Sequence, residues 1–130
     1  MDLLLIDDEA SLRRTLRTTL ESMRHNAAEA GSGEQALHWL RKQRFDVAFL
    51  DLRLGREAGM DLLPLLLCEA PSLAVVVITA HASIASAVEA MRAGAFDYLP
   101  KPFTPDQLRV VLERCCLLYT SPSPRDRQKS

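Results

Sequence analysis

The chain has 130 residues, 48% of them apolar and 25% charged, with 16 basic side chains against 17 acidic ones and a net charge of -1. That length suits one domain able to bury a core without disulfides or metals. The near-neutral balance argues against a nucleic-acid module, which carries a basic excess on one face.

The first element is the apolar run Leu3-Leu4-Leu5-Ile6, ended by Asp7-Asp8-Glu9. A run this short, uniformly apolar and stopped by polar residues predicts a strand buried on both faces. Leu12, Leu16, Leu20 and Met23 recur at helical spacing and predict a helix beginning near Ser11, which an acidic pair such as Asp7-Asp8 ordinarily caps. A weaker strand is expected from Asn26 to Ala30. Ser32 followed by Gln35 has the form of a capping box ahead of Ala36, Leu37 and Leu40. Val47-Ala48-Phe49-Leu50 repeats the buried-strand pattern and ends at Asp51. Gly59 to about Glu69 fills the next helical slot, with Pro64 read as lying early in it, where a proline does least harm.

Ala74-Val75-Val76-Val77-Ile78 is the third uniformly apolar run, followed by Thr79-Ala80. A helix from Ser83 to Ala93 and a strand from Phe96 to Leu99 come next. Thr104-Pro105-Asp106-Gln107 is a strong helix start, with a Thr cap, Pro at the first helical position and Gln at the third. Leu108, Val111 and Leu112 form that helix's apolar stripe, which belongs to a core more often than to a partner surface. Strands alternating with helices imply right-handed crossovers and a parallel sheet covered on both faces: an α/β, doubly wound fold with five strands and five helices.

The end of the chain differs. Leu117 to Ser130 is rich in Ser, Pro, Arg and Lys and has no apolar stripe. Residues 1–115 are therefore read as the domain and 116–130 as a disordered tail. Cys116 to Asp126 also resembles the translation of a sequencing adapter, so the tail is read as non-native and is given no function. Three cysteines, Cys68, Cys115 and Cys116, make an odd count without repeated spacing and read as reduced thiols. No apolar run approaches the roughly 20 residues that cross a bilayer, and the early Asp2, Asp7 and Asp8 are unlike a signal peptide. A cytoplasmic protein with no membrane partner is expected.

In such a sheet, ligands bind outside the carboxyl ends of the strands. There the order of the chain places Asp7, Asp8 and Glu9, then Asp51, then Thr79-Ala80, then Lys101-Pro102. Each piece alone is ordinary, a helix cap, a turn Asp or a solvated loop. Together they gather three Asp residues, a hydroxyl and a Lys at one end of the sheet. Clustered carboxylates repel one another unless one is protonated or a cation intervenes. Magnesium fits, because it takes few carboxylates, keeps waters and accepts phosphate oxygens. Asp51 could then attack phosphorus and form an aspartyl-phosphate, while the metal, Lys101 and Thr79 orient and neutralise the phosphoryl oxygens.

The segments Leu-Leu-Ile-Asp-Asp-Glu (4–9), Phe-Leu-Asp-Leu-Arg-Leu (49–54), Ile-Thr-Ala-His-Ala-Ser (78–83) and Gly-Ala-Phe-Asp-Tyr-Leu-Pro-Lys-Pro-Phe (94–103) resemble the receiver domain of two-component response regulators. The likeness is nearest to receivers of NtrC-type enhancer-binding transcription activators and covers Met1 to about Arg114. It implies the flavodoxin-like, CheY-like form of the fold, with Asp51 as phospho-acceptor. Asp8 and Asp51 would bind magnesium directly, Asp7 through water, and the backbone carbonyl of Arg53 would complete the protein's ligands. Thr79 would swing toward the phosphate, Lys101 would pair with it, and the Lys101-Pro102 bond would be cis. Tyr98 occupies the place of the family's switch aromatic, which moves inward with Thr79. The implied donor is a sensor histidine kinase, and the implied outcome is a changed partner surface, including pairing with a second receiver. Such a domain catalyses only its own phosphorylation and dephosphorylation and binds no nucleic acid. The ATPase and DNA-binding domains that it controls in the family have no counterpart among these residues.

One stretch departs from the family. Where many receivers read Pro-Gly-Met-Asp-Gly after the acceptor, this chain reads Gly55-Arg56-Glu57-Ala58-Gly59-Met60-Asp61, which bears on phosphate lifetime and donor recognition. His81 lies near the proposed site but reads as a surface histidine, and His25 and His38 have no partners at ligand spacing. Three rivals are weaker. An aspartate-nucleophile phosphatase carries a second Asp where Arg53 stands; a pseudo-receiver would not need the intact acidic set; a flavodoxin-like cofactor binder needs a Ser/Thr/Gly-rich phosphate loop after the first strand.

Overall fold

The computed structural model describes residues 1–54 and 57–119. In chain order the first half contains β1 (Asp2–Ile6), α1 (Ala10–Ser22), β2 (Asn26–Ala30), α2 (Gly33–Lys42) and β3 (Val47–Asp51). Then come β4 (Arg53–Leu54), β5 (Glu57–Ala58), α3 (Gly59–Glu69), β6 (Ala74–Thr79), α4 (Ile84–Arg92), β7 (Asp97–Pro100) and α5 (Pro105–Tyr119).

The three uniformly apolar runs became the interior of the sheet. Its order is β2-β1-β3-β6-β7, and every pairing in it is parallel. Side chains alternate across a strand, so successive residues of these runs serve two separate cores. Leu3, Leu5, Phe49, Val76 and Ile78 pack with Leu16 and Leu20 of α1 and Leu108, Val111 and Leu112 of α5. Leu4, Ile6, Leu50, Val75 and Val77 pack on the other face with α2, α3 and α4 through Ala36, Leu62, Leu63, Leu66 and Ala90. Both faces are covered, which is why every residue of β3 and β6 is buried. The expected doubly wound α/β fold, a five-stranded parallel sheet with five helices, is the one observed.

Two helix starts follow the expected chemistry. Gln107 N–H donates to Thr104 Oγ1 at 3.2 Å, and Thr104 N–H donates to Gln107 Oε1 at 2.8 Å. Gln35 N–H donates to Ser32 Oγ at 3.2 Å, but the Gln35 side chain turns back to the Gly31 N–H (2.6 Å) rather than to Ser32.

Other expectations need correction. α1 begins at Ala10 with Glu9 as its N-cap and no side-chain cap; Asp7 and Asp8 leave the helix uncapped because Asp7 is drawn into the ion-pair cluster described below. Pro64 is not early in α3 but in its interior. It cannot donate to the carbonyl of Met60, and burial of Leu62, Leu63 and Leu66 outweighs that loss. The short antiparallel ladder of β4 on β5 was not foreseen; it occupies part of the atypical 55–61 stretch, of which Gly55 and Arg56 lie outside the described residues. α5 runs to Tyr119, past residue 115, where the domain was expected to end. No glycine or proline interrupts Cys116-Leu117-Leu118-Tyr119, and the first proline after them is Pro122. The rest of the proposed tail, residues 120–130, lies outside the described residues. No helix among the described residues is long and apolar enough to cross a membrane.

Candidate functional site

The sheet order makes β1 and β3 neighbours, with their connections leaving to opposite sides, and so opens a crevice beyond their carboxyl ends. Asp7 and Asp8 follow β1 at that crevice, and Asp51 closes β3. Thr79 is the last residue of β6, one position beyond the Ile78 that pairs with Asp51. Lys101 follows β7, and its N–H donates to the Thr79 carbonyl at 2.8 Å.

Asp7, Asp51 and Thr79 are the buried polar residues of the described chain, at 4%, 6% and 1% exposure. Buried charge must be paired, and one cation serves both acids. Lys101 Nζ lies 2.8 Å from Asp51 Oδ2 and 3.1 Å from Asp7 Oδ2. The other carboxylate oxygens take main-chain donors: Arg53 N–H to Asp51 Oδ1 and Glu9 N–H to Asp7 Oδ1, each at 2.9 Å. Exposed Asp8 completes the cluster, and one carboxylate oxygen from each of Asp7, Asp8 and Asp51 lies within 4.8 Å of the others. Thr79 Oγ1 accepts the His81 N–H at 3.1 Å. The Lys101-Pro102 bond is cis, as the resemblance implied.

The charges are in tension. Burial pushes the Asp7 carboxyl above its ordinary range, and the charge of Asp51 adds to that; the Glu9 N–H and Lys101 pull it back only in part. For Lys101, burial disfavours the ammonium, but hydrogen bonds and attraction from Asp51 and Asp7 outweigh it and hold the pKa above its usual value. Three carboxylates against one ammonium leave negative charge uncompensated. Their donor set is all oxygen, which suits a hard divalent cation rather than a soft one.

The predicted residues divide four ways. Asp7, Asp8, Asp51 and Lys101 meet in one cluster. Thr79 stands at the adjoining strand end with its hydroxyl engaged by His81 N–H, while the His81 side chain is exposed. Arg53 contacts Asp51 through its N–H, a link the sequence did not suggest beside the expected carbonyl role. Tyr98 is half-buried with its hydroxyl 2.6 Å from Ser86 Oγ, so it is tied to α4 and not to the acids. Gly59 was noted only as part of the atypical loop, and Arg13 was missed. A Cβ on Gly59 would come within 2.5 Å of the Asp51 carbonyl oxygen and 2.6 Å of Leu52 Cα; the glycine of an atypical loop was the available signal. Arg13 donates to the Asp7 carbonyl at 2.6 Å, and nothing in its helical spacing announced that.

The family model for the response regulator receiver domain matches residues 3–113. The alginate biosynthesis transcriptional regulatory protein AlgB of Pseudomonas aeruginosa is 49% identical over 108 residues, which are 83% of this chain and 24% of that protein. The chain spans about a quarter of the length of the curated relatives it matches. Among solved structures, the receiver domain of NtrX from Brucella abortus superposes with a TM-score of 0.82 at 35% identity, covering 88% of this chain and 97% of that one. A Burkholderia pseudomallei response regulator, described with a phosphorylated aspartic acid, a calcium ion and citrate, gives 0.81 at 32% identity over 85% of this chain and 65% of its own.

Proposed function

The chain belongs to the response regulator receiver domain family, and we propose that it works as a phosphorylation switch in which Asp51 takes the phosphoryl group of a sensor histidine kinase. The observation that carries this reading is the Lys101 ammonium held 2.8 Å from the buried Asp51 carboxylate, beside two further acids at the crevice.

Asp7, Asp8 and Asp51 would hold a magnesium ion, Asp8 and Asp51 directly and Asp7 through water, with the Arg53 carbonyl as a further ligand. Their all-oxygen donors and uncompensated charge fit that ion. When bound, it supplies charge neutralisation for phosphoryl oxygens. Asp51 attacks phosphorus, a P–O bond forms, and the P–N bond of the phosphohistidine breaks with the electron pair leaving on the imidazole. Lys101 then turns from the Asp51 oxygen to a phosphoryl oxygen as a ready-made cation. Thr79 already accepts from His81 N–H, which leaves its own proton to donate to the phosphoryl group. The same set serves hydrolysis of the aspartyl-phosphate, so the catalysis is confined to the domain's own phosphorylation cycle.

Movement of Thr79 toward the phosphate would release Tyr98 from Ser86 and draw it inward. The surface affected is built from α4, β7 and α5 and already exposes Ile84, Val88, Met91 and Val110. Such a surface suits pairing with a second receiver. By likeness to AlgB, the longer protein would control transcription through output domains beyond this one.

Intact-mass measurement after incubation with acetyl phosphate tests the reading. We expect a magnesium-dependent gain of one phosphoryl group in the wild type and none in Asp51→Asn. A folded wild type that gains neither phosphoryl nor beryllofluoride would make the domain a constitutive interaction module.

A further inference from the structure

Arg13 of α1 links the acid cluster to the edge of the sheet without belonging to either. Its Nη1 donates to the main-chain carbonyl of Asp7 at 2.6 Å, and its Nε donates to Glu29 Oε1 of β2 at 3.1 Å. The side chains of Arg13 and Glu29 are only 16% and 22% exposed, so water competes weakly for these bonds. The end of β2 leaves room for the guanidinium: a Cβ on Gly31 would meet Arg13 Nη1 at 3.3 Å. Asp7 N–H reaches Ala30 O at 3.1 Å, so both main-chain polar groups of Asp7 are held, one by the strand and one by Arg13.

We propose that Arg13 is a positioning residue for the divalent-cation site, fixing the backbone at Asp7 so that the Asp7 and Asp8 carboxylates are presented toward Asp51. This rests on the phospho-acceptor reading above and extends it to a side chain that touches neither the ion nor the phosphoryl group. A guanidinium holds two acceptors in the fixed geometry of a planar fork, which the point charge of an ammonium does not impose. The sign of the effect separates positioning from charge. A cation near an acid cluster repels a second cation, so through its field alone the loss of Arg13 would tighten metal binding. Positioning requires the opposite. Arg17 supplies the control, because it shares Glu29 (3.3 Å) and also pairs with Glu21 (3.0 Å), with no bond to Asp7.

The test is calorimetric titration of the full chain with magnesium chloride, together with the rate of phosphorylation by acetyl phosphate as a function of magnesium. Arg13→Gln and Arg13→Lys should each weaken magnesium binding by about tenfold, the scale of losing a group that orients a metal ligand. Their phosphorylation rates at saturating magnesium should stay within about twofold of wild type, since the reacting groups are intact. Arg17→Gln should bind as wild type does. Equal or tighter binding by Arg13→Gln, or equal weakening by Arg17→Gln, overturns the proposal. If Arg13→Gln does not fold by circular dichroism, Arg13→Lys, which keeps the charge but not the fork, must show the weakening; unchanged affinity there overturns it as well. A wild type that binds no magnesium defeats the phospho-acceptor reading itself, an outcome distinct from wild-type binding that Arg13 variants leave unchanged.

Discussion

Lys101 Nζ stands 2.8 Å from Asp51 Oδ2 although their strands are not neighbours: Asp51 ends β3, Lys101 follows β7, and β6 runs between them. The Lys101 main chain is anchored to the Thr79 carbonyl at the end of β6, and the side chain reaches over that strand to the acids. This places a positive charge where phosphoryl oxygens would gather. Lys101→Met should slow phosphorylation by acetyl phosphate by about a hundredfold or more. Lys101→Arg should recover little, because a planar fork replaces a compact point charge. Intact-mass time courses measure both rates, and a Lys101→Met rate near wild type would remove Lys101 from the chemistry.

Magnesium should also be visible in stability. Asp7 and Asp51 are buried with Asp8 beside them, and one Lys offsets only part of their repulsion. At neutral pH, magnesium at a hundred times its dissociation constant should stabilise the fold by about 2.7 kcal/mol, and chelator should reverse this. Asp7→Asn should be more stable than wild type in chelator, because burial and Asp51 disfavour the Asp7 charge, and should gain less from magnesium. Thermal melts in both conditions decide it; identical wild-type melts would leave the acid cluster without a cation.

Gly59 lets the start of α3 lie against the strand that ends in Asp51. Its N–H donates to the Leu52 carbonyl at 2.8 Å, and a Cβ there would collide with backbone at 2.5–2.6 Å. Backbone cannot swing aside as a side-chain tip can, so Gly59→Ala should cost about 1–3 kcal/mol. It should also disturb the Arg53 N–H bond to Asp51. Chemical denaturation gives the first effect and the phosphorylation rate gives the second. A variant as stable as wild type would mean that α3 can retreat freely.

What could be read from the chain and what could not have physical causes. The runs at Leu3, Val47 and Ala74 declare themselves because strands buried on both faces need apolar side chains at every position. The acids and Lys101 follow from that, since each is the polar residue that ends a strand. β2 carries a weaker signal because it is an edge strand, where Asn26 is exposed and only Ala30 is fully buried. Pro64 misleads because core burial overrides local propensity. Arg13 with Asp7 and Ser86 with Tyr98 are invisible because a polar contact between two different elements leaves no periodicity in either.

Cys115 offers a pH signature away from the acids. Burial pushes its thiol up to about 12 from 9.0, with the negative charge of Asp97 adding to the effect. The fold thus favours the protonated thiol. That contribution is fully present below about pH 9 and is lost as pH rises toward about 12, since the unfolded chain releases the proton first. At pH 8, exposed Cys68 and Cys116 should alkylate with iodoacetamide at least about a hundredfold faster than buried Cys115. Peptide mapping after a timed pulse reads the ratio, and comparable labelling of all three would show that the end of α5 opens readily.

Ser86 joins two structures at once. It closes the capping box of α4, its Oγ accepting the Ser83 N–H at 3.2 Å while its own N–H reaches Ser83 Oγ at 3.0 Å. Its hydroxyl oxygen also lies 2.6 Å from the Tyr98 hydroxyl on β7. The start of α4 is therefore fastened to the strand that leads into Lys101. Ser86→Ala and Tyr98→Phe should each cost about 1 kcal/mol of stability, and the double variant should cost less than their sum because the shared bond is lost only once. Urea denaturation of the four proteins yields that coupling. Additive costs would mean that Tyr98 is held by the packing of its ring alone, and that α4 does not sense its hydroxyl.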